Sequence, residues 1–151
     1  MSKKVILIAA VTVDGYIARH SQEVTSWSKD LKLFKKQTMG QVVVVGSTTY
    51  KILKSELFGR IIKKVNRNSK PKEVIKSINK KKCFIIGGGK TYSRFVPYLT
   101  HLFITPHPYV FNRGVLLFDD KINELKLKFK KLVIVDKKNG IFQYQYKIKK
   151  Q

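Results

Sequence analysis

An apolar run at residues 83–86 leads directly into three glycines, Gly87, Gly88 and Gly89, and then into a segment of helical character. Glycine lets a backbone approach a ligand closely, and the N-terminus of a following helix offers free N–H groups to a phosphate. The stretch therefore predicts a nucleotide-binding turn between a strand and a helix. It is neither a P-loop, which needs glycine where Phe84 stands, nor a dinucleotide fingerprint, because Tyr92 occupies the third glycine position.

The length and the apolar content predict one domain. The chain has 151 residues, and its 43% hydrophobic content suffices for a core. We expect a domain that spans residues 1–151. The apolar run at residues 5–13 is too short to cross a membrane and lacks a cleavage site after it, so we expect a cytoplasmic protein with no membrane partner. Cys83 is the only cysteine and is expected to be a buried, unreactive thiol.

The formal net charge of +23 suggests at first that the protein binds nucleic acid. Lysines, however, occur in nearly every polar segment, and arginine is scarce, whereas direct readout of bases relies on arginine. An even coat of lysines favours solubility or the attraction of anionic small molecules. We therefore expect weak binding to polyanions at low salt and no specific nucleic-acid partner. Nucleic-acid binding is a less favoured hypothesis than the two enzymatic functions considered below.

Apolar runs alternate with helical periodicity along the first two thirds of the chain. Strands are predicted at residues 4–13, 41–46, 61–65, 84–86 and 101–105, and helices at residues 29–38, 48–54, 72–79 and 92–98. Ser28 is the expected N-cap of the first helix. Alternation of strand and helix predicts a mainly parallel sheet with helices on both faces.

The last third of the chain changes to an alternation of polar and apolar residues. This pattern covers residues 126–136 and 141–149, on either side of Asn139 and Gly140, a pair typical of β-hairpin turns. Residues 111–121 are predicted to be a long loop. The predicted fold class is therefore α/β, with a mostly parallel central sheet and a C-terminal antiparallel hairpin.

Two further features mark the expected site, because ligands in open α/β sheets bind beyond the carboxyl ends of the strands. Gly46 is followed by Ser47, Thr48 and Thr49, a second strand-to-helix turn suited to another phosphate of the same ligand. Asp30 is the only carboxylate near the start of the first helix, where the helix dipole alone would also favour it.

The three histidines contribute little to the prediction. His20, His101 and His107 do not have the spacing of metal ligands, so neither a metal site nor a catalytic histidine is expected.

These motifs follow one another in the order seen in dihydrofolate reductases, and the chain resembles that family over nearly its whole length. The residues that carry the resemblance are 8–10, 14–18, Trp27, 30–38, 45–50, Gly59, Arg60, 85–92 and 102–105. The resemblance implies a three-layer dihydrofolate reductase-like fold, present as a monomer or a homodimer. The wider superfamily also contains the pyrimidine reductases of riboflavin synthesis.

The resemblance implies hydride transfer from NADPH to 7,8-dihydrofolate, which gives tetrahydrofolate for one-carbon metabolism. Asp30 matches the acid that holds the pterin and supports protonation of its ring nitrogen, with a pKa raised by burial. Thr105 matches the threonine that hydrogen-bonds this acid. Arg60 matches the arginine that pairs with the glutamate carboxylate of folate, although a surface cation is an equal alternative. The other substrate-binding residues implied are Ile8, Ala10, Leu31, Phe34, Leu53 and Leu57.

For the cofactor, Gly87 and Gly88 match the glycine pair of the family, whose peptide is cis. Lys90 and Thr91 would meet phosphate at the helix N-terminus, and Tyr92 would lie near the nicotinamide. The other cofactor-binding residues implied are Ala10, Ile17, Gly46, Ser47, Thr48, Thr49, Asn66, Arg67, Ile86 and Gly89.

The chain also departs from the best-known pattern. Ser47 stands where an arginine often binds the 2′-phosphate of NADPH, so Arg67 and Lys90 are expected to supply the positive charge. The loop at residues 19–27 is longer than in most dihydrofolate reductases. Residues 105–118 resemble the proline, glycine and Leu-Phe arrangement of the pyrimidine reductases. The alternative function is therefore a riboflavin-pathway reductase that acts on a ribosylated diaminopyrimidine phosphate.

Overall fold

The computed structural model describes residues 3–23 and 25–150. Within them the strands are β1 (Lys4–Thr12), β2 (Tyr16–Ala18), β3 (Val42–Gly46), β4 (Ile61–Val65), β5 (Lys82–Ile85), β6 (His101–His107), β7 (Val115–Leu116), β8 (Leu127–Asp136) and β9 (Ile141–Ile148). The α-helices there are α1 (Leu31–Thr38), α2 (Ser47–Leu53), α3 (Pro71–Ser77) and α4 (Gly89–Phe95). Short 3₁₀ turns, Lys54–Glu56 and Val96–Tyr98, extend α2 and α4.

The large sheet has the strand order β4-β3-β5-β1-β6-β9-β8. β1 pairs in parallel with β5 and β6, and β3 pairs in parallel with β4 and β5. β9 pairs antiparallel with both β6 and β8. The predicted fold class is confirmed, and the carboxyl ends of the parallel strands meet at one edge of the sheet.

The valine run of β3 shows how the sheet becomes the middle of three layers. Successive residues of a strand point to opposite faces of the sheet. Val42 and Val44 therefore pack on the face covered by α3 and α4, and Val43 and Val45 pack on the face covered by α1 and α2. A strand covered on both faces is expected to be continuously apolar, and this explains the run.

Cys83 lies on β5 in the first of these two cores and has no exposed surface. Burial raises the pKa of its thiol to about 11. Since the thiolate is the reactive form of cysteine, the expectation of a buried, unreactive thiol agrees with this environment.

The first helix begins later than predicted. α1 starts at Leu31, and Asp30 occupies its N-cap position without a side-chain capping bond, so the assignment of Ser28 as N-cap was wrong. The Lys29 N–H instead donates to His107 Nε2 at the end of β6, at 2.9 Å. A tertiary hydrogen bond thus holds the chain where the sequence pattern predicts the first helical turn.

The prediction of a long loop at residues 111–121 was also wrong, because this segment contains β7, which pairs antiparallel with β2. Gly114 has φ +130°, and a Cβ there would lie 2.1 Å from the Ala18 carbonyl oxygen. The Leu117 N–H donates to the Gly15 carbonyl at 2.9 Å. These contacts join segments far apart in the chain, and no local sequence pattern predicts them.

The predicted hairpin at the other side of the sheet is confirmed. Asn139 and Gly140 lie in the turn between β8 and β9, where Gly140 has φ +70°. On β8, Phe129, Leu132 and Ile134 are 54%, 43% and 61% exposed. Within the described ranges no helix has the length and apolar character needed to cross a membrane.

Candidate active site

The carboxyl ends of β1, β3 and β5 open into a cavity of about 500 Å³, which α1, α2 and α4 also line. The cavity collects nearly all of the residues that the sequence analysis selected. Those in its wall are Ile8, Ala10, Ile17, Asp30, Leu31, Phe34, Gly46, Ser47, Thr48, Thr49, Leu53, Leu57, Asn66, Arg67, Ile86, Gly87, Gly88, Gly89, Lys90, Thr91 and Tyr92. Thr105 and Arg60 lie outside the wall.

The wall also contains residues that the sequence analysis did not select. They are Ala9, Ala18, Ser21, Glu23, Thr25, Ser28, Ile52, Glu56, Val65, Arg94, Val115 and Asp119. Several of them come from loops whose path is set by tertiary contacts such as the β2–β7 pairing, so no local motif identifies them.

Two strand-to-helix turns touch each other in this cavity. The Gly46 N–H donates to the Gly87 carbonyl at 2.8 Å. A Cβ on Gly46 would lie 2.6 Å from Thr91 Oγ1, and a Cβ on Gly88 would lie 3.1 Å from Thr49 Oγ1. The Gly87–Gly88 peptide is cis. Glycine is required here because the β3–α2 turn lies directly against the β5–α4 turn.

The start of α4 presents unused backbone donors to the cavity. The Gly88 carbonyl accepts a hydrogen bond from the Tyr92 N–H at 2.9 Å. The N–H groups of Gly89, Lys90 and Thr91 precede this bond and have no acceptor inside the helix. Since all three residues line the cavity, their N–H groups can meet an anionic group.

Asp30 supplies a buried carboxyl at the other end of the cavity. The residue is 8% exposed, and its own carbonyl accepts the Phe34 N–H at 2.9 Å. Burial raises the pKa of the Asp30 carboxyl above its ordinary value; the hydroxyls of Thr105 and Ser28 oppose this shift, as would a positive charge on His107. Such a carboxyl keeps its proton to higher pH than an exposed aspartate.

Two buried polar atoms nearby have no hydrogen-bond partner among the described residues. They are Thr105 Oγ1 and Trp27 Nε1. The Thr105 hydroxyl acts on the Asp30 carboxyl, whose pKa it lowers, but no hydrogen bond of normal geometry joins the two groups. Buried polar groups are nearly always satisfied in folded proteins, so these atoms mark a place for a ligand or an ordered water.

Tyr92 closes the cavity between its two ends. Its hydroxyl donates to the Ile8 carbonyl at 2.7 Å, and its side chain is 3% exposed. Burial and the nearby Asp30 charge raise the pKa of the Tyr92 phenol far above its ordinary value. Tyr92 is therefore neutral, and its hydroxyl hydrogen is already engaged in a hydrogen bond to the backbone.

His107 is buried at the end of β6, next to the start of α1. Its side chain is 1% exposed, and both ring nitrogens are hydrogen-bonded, to the Thr105 carbonyl and the Lys29 N–H. The Trp27 ring packs edge-on against it, with the ring centroids 5.3 Å apart. No local signal in the sequence predicts these contacts, because they form only when β6 meets the start of α1. Among the residues described, no cluster of His, Cys, Asp and Glu could hold a metal ion.

Comparison with known proteins gives this arrangement a family. The sequence model of dihydrofolate reductase matches residues 4–148, nearly the whole chain. The chain belongs to the dihydrofolate reductase family. The fold is similar to that of a dihydrofolate reductase from Enterococcus faecalis, solved in complex with NADP(H), with a TM-score of 0.74 and 17% identity, over 97% of each chain.

The fold is also similar to that of another branch of the superfamily. A protein from Shewanella sp. PV-4, described as a riboflavin biosynthesis protein, matches with a TM-score of 0.65 and 18% identity. The match covers 97% of this chain and 99% of the other. The family and the three-layer fold predicted from the sequence are thus confirmed. Both branches of the superfamily share this fold, so the residues of the site must distinguish between their substrates.

Arg60 lies outside the cavity wall and is held by hydrogen bonds to the protein. Its Nε donates to Thr38 Oγ1 at 3.1 Å, and one terminal nitrogen donates to the Phe58 carbonyl at 2.7 Å and the Glu56 carbonyl at 3.3 Å. The other terminal nitrogen lies 3.4 Å from the Lys35 carbonyl. The guanidinium therefore ties the end of α1 to the chain after α2.

The positive charges of the cavity wall lie near α4 and the end of β4. Arg94 donates to the carbonyls of Asn66 and Ser69, so it holds the turn after β4 against α4. Arg67 and Lys90 also line the cavity, and within the described residues neither side chain donates a hydrogen bond to the protein. Two cations are thus available for a ligand at this end.

Proposed function

We propose that this protein is an NADPH-dependent dihydrofolate reductase, which adds a hydride to a ring carbon of 7,8-dihydrofolate and a proton to the adjacent ring nitrogen to form tetrahydrofolate. The observation that carries the proposal is the Asp30 carboxyl, buried and with a raised pKa, in the wall of a cavity that also holds the two glycine turns.

The surroundings of Asp30 support a flat, partly polar ring as the substrate. Leu31, Phe34 and Leu53 give this part of the wall apolar surfaces, and Leu57 packs behind them in the core. A carboxyl can hold a ring N–H and an adjacent amino group together, since each of its oxygens accepts a hydrogen bond.

The residues at the α4 end fit a phosphorylated cofactor. NADPH would supply the hydride. The backbone donors at the start of α4 and the hydroxyls of Thr48 and Thr49 would hold its phosphates, and Arg67 and Lys90 would supply the charge for the 2′-phosphate in place of Ser47. The contact between Gly46 and Thr91 leaves no room for a side chain and keeps these groups together.

Asp30 would act on the substrate as an acid and as an anchor. Because burial raises the pKa of this carboxyl, a fraction of it stays protonated at a pH where an exposed aspartate is ionised. Hydrogen bonding to the ring fixes the substrate relative to the cavity, and the carboxyl favours protonation of the ring nitrogen next to the carbon that accepts the hydride.

Turnover of NADPH with dihydrofolate tests the proposal, with Asp30→Asn as the decisive variant. General acid catalysis contributes roughly 10²–10⁴-fold, so we expect kcat to fall at least about 100-fold while the Kd for NADPH stays unchanged. The control is Glu56→Gln, which neutralises an exposed carboxylate in the same wall and should leave kcat within about twofold. A wild-type protein that oxidises no NADPH with dihydrofolate, and that methotrexate does not stabilise against heat, contradicts the proposal.

A riboflavin-pathway pyrimidine reductase is the second candidate. It is supported by the similarity in fold to the Shewanella protein and by the segment that carries β7, which packs against Gly89. In this case the ribosylated diaminopyrimidine phosphate is turned over and dihydrofolate is not. Rescue of a folate-reductase-deficient host decides for the first candidate.

A further inference from the structure

The strand β6 ends at a histidine whose two ring nitrogens have different partners. His107 Nδ1 lies 2.8 Å from the Thr105 carbonyl oxygen, and Nε2 accepts the Lys29 N–H at 2.9 Å. A carbonyl only accepts, so Nδ1 carries the hydrogen, and an amide N–H only donates, so Nε2 keeps its lone pair. The contacts assign a neutral imidazole in one tautomer.

The Lys29 N–H belongs to the residue directly before Asp30, so this bond holds the chain at the point where the acid enters the cavity. On the other side, α1 holds Asp30 through the bond from the Phe34 N–H to its carbonyl. The Asp30 carboxyl makes no capping bond. Its position therefore depends on the backbone on both sides, which α1 fixes on one side and His107 on the other.

We propose that His107 is a positioning residue for Asp30, acting through the Lys29 peptide to keep the carboxyl buried and able to hold a proton. The inference builds on the proposed function, in which Asp30 acts on the substrate. His107 itself touches no reacting atom and does not line the cavity.

Because of these hydrogen bonds, protonation of His107 would change both the position and the pKa of the Asp30 carboxyl. A proton on Nε2 would replace the acceptor of the Lys29 N–H by a second donor and break this bond. Positive charge on His107 would also lower the pKa of Asp30 and favour the ionised carboxyl. The other groups that act on this carboxyl are the hydroxyls of Ser28 and Thr105 and the backbone N–H of Asp30 itself, and the neutral phenol of Tyr92 lies nearby.

Two amide substitutions distinguish the contribution of one ring nitrogen of His107 from that of the other. His107→Gln can present an amide oxygen near the place of Nε2 and so keep an acceptor for the Lys29 N–H. His107→Asn reaches only to the place of Nδ1, so it keeps a donor for the Thr105 carbonyl and loses the acceptor. We expect kcat for dihydrofolate within about threefold of the wild type in His107→Gln and at least about tenfold lower in His107→Asn, with an unchanged KM for NADPH.

A second readout is independent of activity. Titration of the Asp30 carboxyl carbon by ¹³C NMR in the unliganded protein should show its pKa lowered toward the ordinary aspartate value in His107→Asn and retained in His107→Gln. His101→Asn, at the other end of β6 and outside the cavity wall, should change neither kcat nor the Asp30 titration. The ¹⁵N shifts of the wild-type His107 ring at neutral pH should report the neutral Nδ1–H tautomer.

Three results would overturn the inference: equal loss of kcat in both variants in proportion to loss of Tm, an Asp30 titration that His107→Asn leaves unchanged, or a His107 ring that is charged or in the other tautomer. The ring shifts of the wild type decide the matter even if His107→Asn does not fold. A wild-type protein inactive toward dihydrofolate would refute the proposed reaction, whereas the carboxyl titration would still test His107.

Discussion

The cavity lies at the carboxyl ends of the parallel strands, and the C-terminal hairpin forms one side of the same sheet. The two regions differ in how tightly they are packed. At the cavity, strands buried on both faces bring two glycine turns so close that a Cβ would collide with a neighbouring group. On the hairpin, β8 leaves Phe129 and Ile134 more than half exposed, and lysines dominate residues 126–150, where Asp136 is the only acidic side chain. The parallel strands fix the geometry of the site, and the hairpin covers an edge of the sheet without contributing to the cavity wall.

The largest expected contrast is in the cost of removing an aromatic ring. Phe95, on α4, has no exposed surface, so Phe95→Ala should lower the free energy of unfolding by about 3–5 kcal/mol. Phe129 is more than half exposed and its ring contacts those of Tyr144 and Tyr146 across the strands, so Phe129→Ala should cost about 1 kcal/mol. Urea unfolding measures both values. Equal costs would show that the hairpin is packed as tightly as the layers around the cavity.

Glycine substitutions sharpen the comparison, because they separate stability from binding. A Cβ at Gly89 would lie 2.4 Å from the Leu116 carbonyl oxygen and 2.6 Å from the Asp119 Cβ, so Gly89→Ala should cost about 1–3 kcal/mol and weaken NADPH binding. Gly140 has φ +70° and open space around it, so Gly140→Ala should cost about 1–2 kcal/mol through backbone strain alone.

Calorimetric titration with NADPH distinguishes these two variants. Gly140→Ala should bind with the wild-type Kd, whereas the displaced β7 segment in Gly89→Ala distorts the wall that it shares with α4. Unchanged affinity in Gly89→Ala would mean that the segment adapts without reaching the cavity.

The smallest effects are expected from two aspartates with opposite pKa shifts. Burial raises the pKa of Asp30, so its contribution to stability is complete at low pH, below the pKa of the unfolded chain, and is lost as the pH rises through the folded pKa. Hydrogen bonds from Asn139 lower the pKa of the exposed Asp136, so its contribution is present near neutral pH and is lost on acidification through the folded pKa.

The two asparagine variants should therefore differ from the wild type in opposite directions. Asp30→Asn should raise Tm at pH 7 by roughly 2–4 °C, and the gain should disappear near pH 3. Asp136→Asn should lower Tm slightly at pH 7, and this loss should also disappear in acid. Scanning calorimetry across this pH range measures both differences, and parallel changes in the two variants would contradict the assigned shifts.

The sequence predicts the strands and helices of the three layers well, because most of these elements have a local cause. The valines of β3 and the Asn139–Gly140 turn follow from periodicity and turn chemistry, and the order of motifs is enough to identify the family. The pairing of β2 with β7, the start of α1 and the bonds of His107 could not be predicted in this way. Each depends on groups that meet only after the sheet has formed, such as Gly114 with the Ala18 carbonyl and His107 with the Lys29 N–H.

The burial of Cys83 within β5 offers an experimental advantage. Since the chain contains no other cysteine and this thiol is sheltered between the helical layers, an introduced surface cysteine would be the only thiol to react with a maleimide dye. A probe at exposed Thr25, in the wall of the cavity, would then report binding of the cofactor and the substrate by fluorescence, with no background from the core.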